Sequence, residues 1–518
     1  MRLRLGDLSM PRTNDARLYI VLPSFGFTSP VLAQSSALRK QPGTVTLEAR
    51  PARRESSSRS ASATRIQIIH SMREDGPKLV EMTAEAELNL RVQEPSLKIV
   101  PLVYYRKMRS QAAVEKVTAE AGRASCKVTD ALTGKPVQGA HCVAFTSYRY
   151  REGAEGVSNA AGIAHLQLPT GARIERLYVY PPAMYWGSYA TGFDLSPNHA
   201  ITLQPIDLTS QAHLLGEYTR GIPIDAGKGI RVGVIDSGIA KAHPALPNVE
   251  GGSNHVTEEV LSDAGAETEW GPAAEEGEHG THVAGIIGMQ SIAGSALRGV
   301  APGASIRSYR VFPNQGKGAT NYDIIKAINR AVADGCHIIN LSLGGGDPDE
   351  AVRAALGMAL DKGTIAIVAA GNDGRGPVSY PAAWPASLAV SAMGRKGTFP
   401  ADSVERSEIA APYGSPDKDA FIAAFSNYGP QITVTGPGVG IVSALPDTTY
   451  GVMSGTSMAC PAIAGFAAYL LAKDPAMLAM TGPARCEALK QALTGSARIV
   501  GFGRDYEGFG LPLQEAQV

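Results

Sequence analysis

Short apolar runs rich in β-branched residues recur along the last three-fifths of the chain and alternate with stretches of helical period. The runs at 232–235, 305–311, 337–343, 364–368, 388–392 and 432–435 read as strands. Between several of them lie helices, at 322–333 with Ile324, Ile325, Ile328 and Val332 on one face, and at 349–362 with Val352, Leu356 and Leu360. Strands apolar on both faces, joined by crossover helices, predict an α/β fold with a doubly wound parallel sheet. Its functional groups belong at the carboxyl ends of the strands.

The first two-fifths have another texture. Residues 19–22 and 66–69 read as strands, 78–90 as a helix and 97–105 as a further strand, which makes a small α/β unit over 1–109. Residues 51–64 (PARRESSSRSASAT) are serine-rich and read as a flexible linker. From 110 to 207 short alternating runs (126–128, 141–145, 163–168, 177–180, 200–203) are separated by turn residues such as Thr133-Gly134-Lys135-Pro136, the spacing of a small β-sandwich. The third unit spans 208–518.

Composition narrows the function classes. Lys+Arg and Asp+Glu are both 48 among 518 residues, a formal net charge of zero, so nothing electrostatic points to nucleic acid. No apolar run is long enough for a membrane span. The five cysteines, Cys126, Cys142, Cys336, Cys460 and Cys486, show neither metal-ligand spacing nor a disulfide framework, and a bridge between Cys126 and Cys142 stays open. Arg2 and Arg4 precede a mildly apolar stretch, but Asp7, Asp15 and Pro23 interrupt a signal-peptide pattern. A cytoplasmic location is favoured, with secretion as the alternative.

Candidate chemistry collects where the sheet would place it. Asp236 ends the strand RVGVID, His279 opens the helical stretch EHGTHVAGIIG, Asn372 follows the strand TIAIVAAGN, and Ser457 sits in a glycine-led turn before the apolar helix GTSMACPAIAGFAAYLLAKDP. Singly, these are ordinary turn or cap residues. Together they offer a hydroxyl nucleophile at a helix start, an imidazole able to move protons near neutral pH, a carboxylate to orient it, and an amide donor.

The blocks VIDSGI (234–239), HGTHVAG (279–285), NLSLGG (340–345), AAGN (369–372) and SGTSMACP (454–461) resemble, in order and context, the signatures of subtilisin-like serine peptidases. Asp, His, Ser is the chain order known for subtilisin itself. The resemblance covers roughly 216–517 and includes GVAPGA, SYPA and FSNYGP. It implies a serine endopeptidase in which Ser457 attacks, His279 is the base and then the acid, and Asp236 orients His279. The backbone N–H of Ser457 and the amide of Asn372 would then form the oxyanion hole. The resemblance assigns packing to His282, and His243 and His337 read as turn and strand packing. Two substrate edges match Lys317-Gly318-Ala319 and Ser342-Leu343-Gly344, and Gly371 and Ser379 match the first specificity pocket, open enough for a large apolar side chain. The partner is then a peptide or protein substrate.

The chain also departs from the pattern. Ala245 stands where the family commonly has a calcium-binding aspartate, and the loop 290–298 lacks the asparagines expected beside it. No cofactor or metal is therefore expected, although structural calcium elsewhere stays open. Cys460 reads as a buried apolar residue. Insertions fall at 249–277, rich in acidic residues from Asp263 to Glu278, and at 393–424, which reads as a surface excursion. The motif DALTGKPVQGA (130–140) resembles the start of carboxypeptidase-regulatory-like β-sandwich modules. Residues 1–109 are expected to be a retained accessory region, with a cleaved prodomain as the competitor, and the accessory units to bind either a protein partner or the catalytic cleft. The rival to an active endopeptidase is a binding or regulatory protein on the same scaffold, with cleavage limited to self-processing.

Overall fold

The computed structural model describes residues 16–23, 43–47, 64–108, 111–117, 122, 124–274, 277–316, 318–345 and 347–514. Its largest sheet runs in the order Val249–Asn254, Ser305–Arg310, Arg231–Asp236, Ile338–Leu341, Ile365–Ala369 and Ser387–Arg395. All of these neighbours pair in parallel. Ile432–Pro437 also joins Ser387–Arg395 in parallel.

Alternate side chains of each strand enter opposite cores. Ile338, Ile365 and Ile367 pack with helices Glu278–Gly288 and Thr456–Lys473, whereas Ile339, Leu341, Ala366 and Val368 pack with helices Asn321–Ala333 and Glu350–Asp361. Both faces are dry, so continuous apolar runs and parallel strands go together. The helices start on caps written in the sequence. Thr320 accepts from the N–H of Asp323, and Asp349 from those of Ala351 and Val352.

The two insertions build onto this sheet. Val249–Asn254 forms its edge strand, followed by the helix Thr257–Ser262. Residues 393–424 are less of a surface excursion than their turn-rich composition suggested. Ile409–Tyr413 and Ala420–Ala423 extend the sheet in antiparallel fashion from 393–395. Alternation at Phe421 and Ile422 buries one side against each core, a pairing that composition alone does not display.

The N-terminal unit differs from the predicted strand, helix, strand. It is a five-stranded sheet whose neighbours are antiparallel, in the order Gly43–Leu47, Thr64–Ser71, Lys78–Met82, Arg17–Leu22 and Lys98–Pro101, with the helix Ala84–Gln93. Lys78–Met82 is a strand because Arg17–Leu22 and Thr64–Ser71 pair with its two edges, and the helix starts only after it, where Thr83 accepts from the N–H of Ala86. Lys78 is buried, its ammonium donating to Ser71 Oγ and the carbonyls of Arg73 and Glu74. One face of the sheet packs on its own helix. The other, through Ile20, Leu22 and Leu79, shares a core with helices 321–333 and 350–361.

Residues 125–203 form two sheets over a shared core, one in the order Ser188–Asp194, Arg173–Tyr180, His141–Ser147, Glu152–Val157, Lys116–Val117, the other Ile163–His165, Ser125–Asp130, Asn198–Leu203. Cys126 and Cys142 lie in that core as free thiols. The hydrogen bond with Cys126, and then burial, raise the pKa of the Cys142 thiol. The backbone N–H of Tyr189 donates to the carbonyl of Asp402 and that of Met184 to the carbonyl of Tyr450, fastening these sheets to a loop after 387–395 and to the hairpin 441–453.

Arg310, at the end of its strand, is buried and forks onto both carboxylate oxygens of Glu259 at 2.8 and 2.9 Å. Removing one partner strands the other charge away from water. Glu259→Gln is expected to destabilise the protein by about 3 kcal/mol, read as a lower melting temperature, with Arg310→Met costing less than Glu259→Gln because it leaves no buried cation.

Candidate active site

Asp236 closes the strand Arg231–Asp236, and its Oδ1 accepts from the backbone N–H of Ser237 at 2.6 Å. Ser237 Oγ then accepts from the N–H of Gly280, holding the start of the helix Glu278–Gly288 against this turn. The approach needs glycine, since a Cβ on Gly280 would lie 2.3 Å from the carbonyl oxygen of Gly238. The result brings His279 Nδ1 to 2.8 Å from Asp236 Oδ1, with both side chains buried. The second ring nitrogen of His279 has no hydrogen-bond partner among the described residues, and the Nδ1 contact fixes it as the acceptor in the neutral ring.

Ser457 lies in the first turn of the helix Thr456–Lys473. Four residues on, Pro461 offers no N–H, so the carbonyl of Ser457 is released from the helix ladder. Ser342 Oγ takes it, at 3.0 Å. Ser342 returns a second contact, its carbonyl accepting the hydroxyl of Ser457 at 3.0 Å. The hydroxyl of Ser457 is thus turned to Ser342 and not to His279 with the cleft as it stands.

Asn372 follows the strand Ile365–Ala369. Its Oδ1 accepts from the backbone N–H and hydroxyl of Thr456 at 3.0 and 2.8 Å, which leaves Nδ2 directed away, buried and without a partner among the described residues. Before it, Gly371 has φ +114°, and a Cβ there would fall 2.3 Å from the Asn427 amide. Asn427 in turn donates to Ser379.

Both predicted substrate edges are paired, and their partner is this chain. Tyr104–Lys107 runs antiparallel between Ala319–Thr320 on one side and Leu343–Gly344 on the other. Gly318 has φ +119° and its α-carbon faces the carbonyl of Tyr105, too closely for any Cβ. Lys317 lies outside the described residues. Beyond the strand, Met108 donates its N–H to the carbonyl of Ser342 at 3.3 Å and accepts from the N–H of Ser457 at 3.3 Å. Its side chain is 2% exposed and sits beside Gly344, on the same side as Ser379.

The single strand expected at 97–105 therefore breaks at Leu102-Val103. Asn321 holds the break, accepting from Val103 N–H and donating to the carbonyl of Pro101. Sequence reading missed this segment, because a two-sided pairing across a cleft leaves no mark in local periodicity. It also missed what lies past Met108. There a cavity of about 570 Å³ opens between Tyr148, Arg151, Arg176 and Tyr178 of the β-sandwich and Asn372 and Asp373 of the large sheet.

The remaining candidates are structural in placement. His282 contacts the carbonyls of Ile441 and Gly451, His243 that of Thr449, and His337 accepts from Arg231 N–H. Cys460 is fully buried, with Sγ against Asn340 and the carbonyl of Ile367, and burial raises its pKa. Ala245 is packed in the core, its carbonyl accepting from the N–H of Gln290.

Residues 227–511 match the sequence profile of the subtilase family. Subtilisin NAT of Bacillus subtilis subsp. natto is 34% identical over 281 residues, 51% of this chain and 64% of that protein. Subtilisin of Bacillus pumilus is 35% identical over 48% of this chain and 79% of its own length, and subtilisin Savinase of Lederbergia lenta 33% identical over 50% and 81%. The chain thus spans just under two thirds of the first of these and about four fifths of the other two. The match covers the large sheet with Asp236, His279, Ser342, Asn372 and Ser457, and on that ground the chain belongs to the subtilase family.

Proposed function

We propose that the chain is a serine endopeptidase and that residues 1–108 are its own cleavable inhibitor. The observation that carries both is the carbonyl of Met108 on the backbone N–H of Ser457, in a segment hydrogen-bonded like an extended substrate. In this reading the bond between Met108 and Arg109 is the first to be cut. That favours the cleaved-prodomain alternative for the N-terminal unit and leaves the β-sandwich on the mature enzyme.

The chemistry follows from the geometry. When the hydroxyl of Ser457 swings from the Ser342 carbonyl to the unpartnered nitrogen of His279, that nitrogen takes its proton as the oxygen attacks the carbonyl carbon. The imidazolium formed lies 2.8 Å from Asp236, whose buried carboxylate stabilises it. Negative charge then develops on the oxygen already facing the Ser457 N–H, and the free Nδ2 of Asn372 is oriented for it by Thr456. His279 returns the proton to the leaving amine, and water releases the acyl group by the same steps in reverse. A second reading, a regulatory protein that cleaves only itself, is supported by the filled cleft alone.

Purified full-length protein and Ser457→Ala, followed by intact mass, a peptide library and a fluorophosphonate label, test this. The wild type is expected to split after Met108, take the label and then cleave peptides, while the variant does none of these. The loss known for subtilisin's own nucleophile is about 10⁶ in turnover. Self-cleavage without peptide cleavage would favour the regulatory reading, and an intact, unlabelled wild type would reject both. Asn372→Ala is expected to lower kcat by about 10²–10³, the value known for subtilisin's equivalent donor, with KM little changed.

Docking of the N-terminal unit should also respond to pH. His70 Nδ1 meets Tyr322 Oη at 2.8 Å across the interface, and burial, with Lys326 close by, lowers its pKa to about 4. The docked state thus prefers neutral His70. Docking is unaffected above the free-histidine range near 6.5 and weakens as pH falls from there toward 4. Solvent reaching the ring limits the effect to about tenfold at pH 5. Release of the cleaved unit, measured by size exclusion, is expected to rise over that window in the wild type and to lose the dependence in His70→Gln.

A further inference from the structure

The cleft reads its occupant at the fourth position before the cut, through a carboxylate whose helix-capping duty accounts for only one of its oxygens. Counting back from Met108, that position is Tyr105. Its side chain is 1% exposed and belongs to the same buried apolar cluster as Ala319, Leu343 and Val352. Room for the ring comes from Gly345, where a Cβ would press to 3.2 Å on the ring edge. At the far end of the ring the phenol donates to Asp349 Oδ2 at 3.1 Å.

Asp349 is itself 2% exposed. Its Oδ1 caps the helix Glu350–Asp361 through the N–H groups of Ala351 and Val352. Serine, threonine or asparagine would cap as well with a single oxygen. The second oxygen faces the pocket, and burial raises the carboxyl pKa, with Asn321 and Tyr105 acting against that rise. A buried carboxylate gains from each donor that reaches it, and Asn321 alone leaves room for the phenol on Oδ2. Tyrosine supplies an apolar ring for the walls and a donor for the floor.

We infer that Asp349 is a specificity-determining residue of the cleft, selecting tyrosine over phenylalanine or leucine four residues before the cut. The inference rests on the peptidase reading and on 104–108 marking the substrate path. Phenylalanine fills the same walls but takes the phenol donor away from Asp349 Oδ2. A hydrogen bond to a charged group lost in this way corresponds to about 10- to 100-fold. Asn321 is a positioning residue for the same pocket, since its two contacts to Pro101 and Val103 set where the chain turns in.

Fluorogenic peptides Tyr-Arg-Lys-Met, Phe-Arg-Lys-Met and Leu-Arg-Lys-Met, given to the self-processed protein, make the test without altering the enzyme. The tyrosine peptide is expected to lead in kcat/KM by at least tenfold. In Asp349→Asn, which keeps a good cap, the lead is expected to shrink to about threefold or less as a neutral amide replaces the charge. Equal values for tyrosine and phenylalanine in the wild type would overturn the inference. Should no peptide be cleaved and no fluorophosphonate label appear, the peptidase reading fails separately. The pocket is then read in the uncut Ser457→Ala chain, where Tyr105→Phe is expected to speed amide exchange of 319–320 and 343–344 about tenfold. Unchanged exchange there would overturn the inference without any catalysis.

Discussion

Ser342 is the joint on which the site turns. Its hydroxyl holds the carbonyl that Pro461 frees from the helix, and its own carbonyl receives both the Ser457 hydroxyl and the N–H of Met108. Strand end, nucleophile helix and occupied cleft thereby share one residue. Parallel pairing makes this possible, because it stacks the ends of 231–236, 338–341 and 365–369 at one level of the sheet. Asp236, Ser342 and Asn372 come from three separate stretches and arrive together for that topological reason.

The same geometry explains what could be read from the sequence. Asp236, His279, Asn372 and Ser457 each follow a strand or open a helix, so local period and turn residues placed them. Helices 321–333 and 350–361 were visible from their apolar stripes. Residues 78–90 were not, because Leu79, Val80 and Met82 satisfy a helical count as readily as a strand, and only the neighbouring strands 17–22 and 64–71 decide. Tyr104–Lys107 was the larger loss. Its partners lie more than two hundred residues away, and nothing in YYRKM distinguishes an inner strand from one laid across a cleft.

The N-terminal unit and the β-sandwich hold on by different means. The first sets Ile20, Leu22 and Leu79 into the core of two helices and adds the polar contact of His70 with Tyr322. Apolar burial supplies the strength, and the histidine makes it conditional on protonation. The sandwich is tied by backbone hydrogen bonds at Met184 and Tyr189 and by Trp186, which packs in the main core. It faces Asn372 and Asp373 across the cavity past Met108, so on the proposed peptidase reading the leaving side of the cleft is walled by the sandwich.

That arrangement fixes both flanks of one short stretch of chain. Met108 is seated on Ser457, and four residues later Ala112 donates its backbone N–H to the hydroxyl of Tyr180 on the sandwich. On the proposed peptidase reading, the bond after Met108 is held between two folded anchors, at an effective concentration that no separate molecule in dilute solution reaches. Maturation on this plan is unimolecular: its half-time is set by the geometry of a single chain and stays the same however few copies are present.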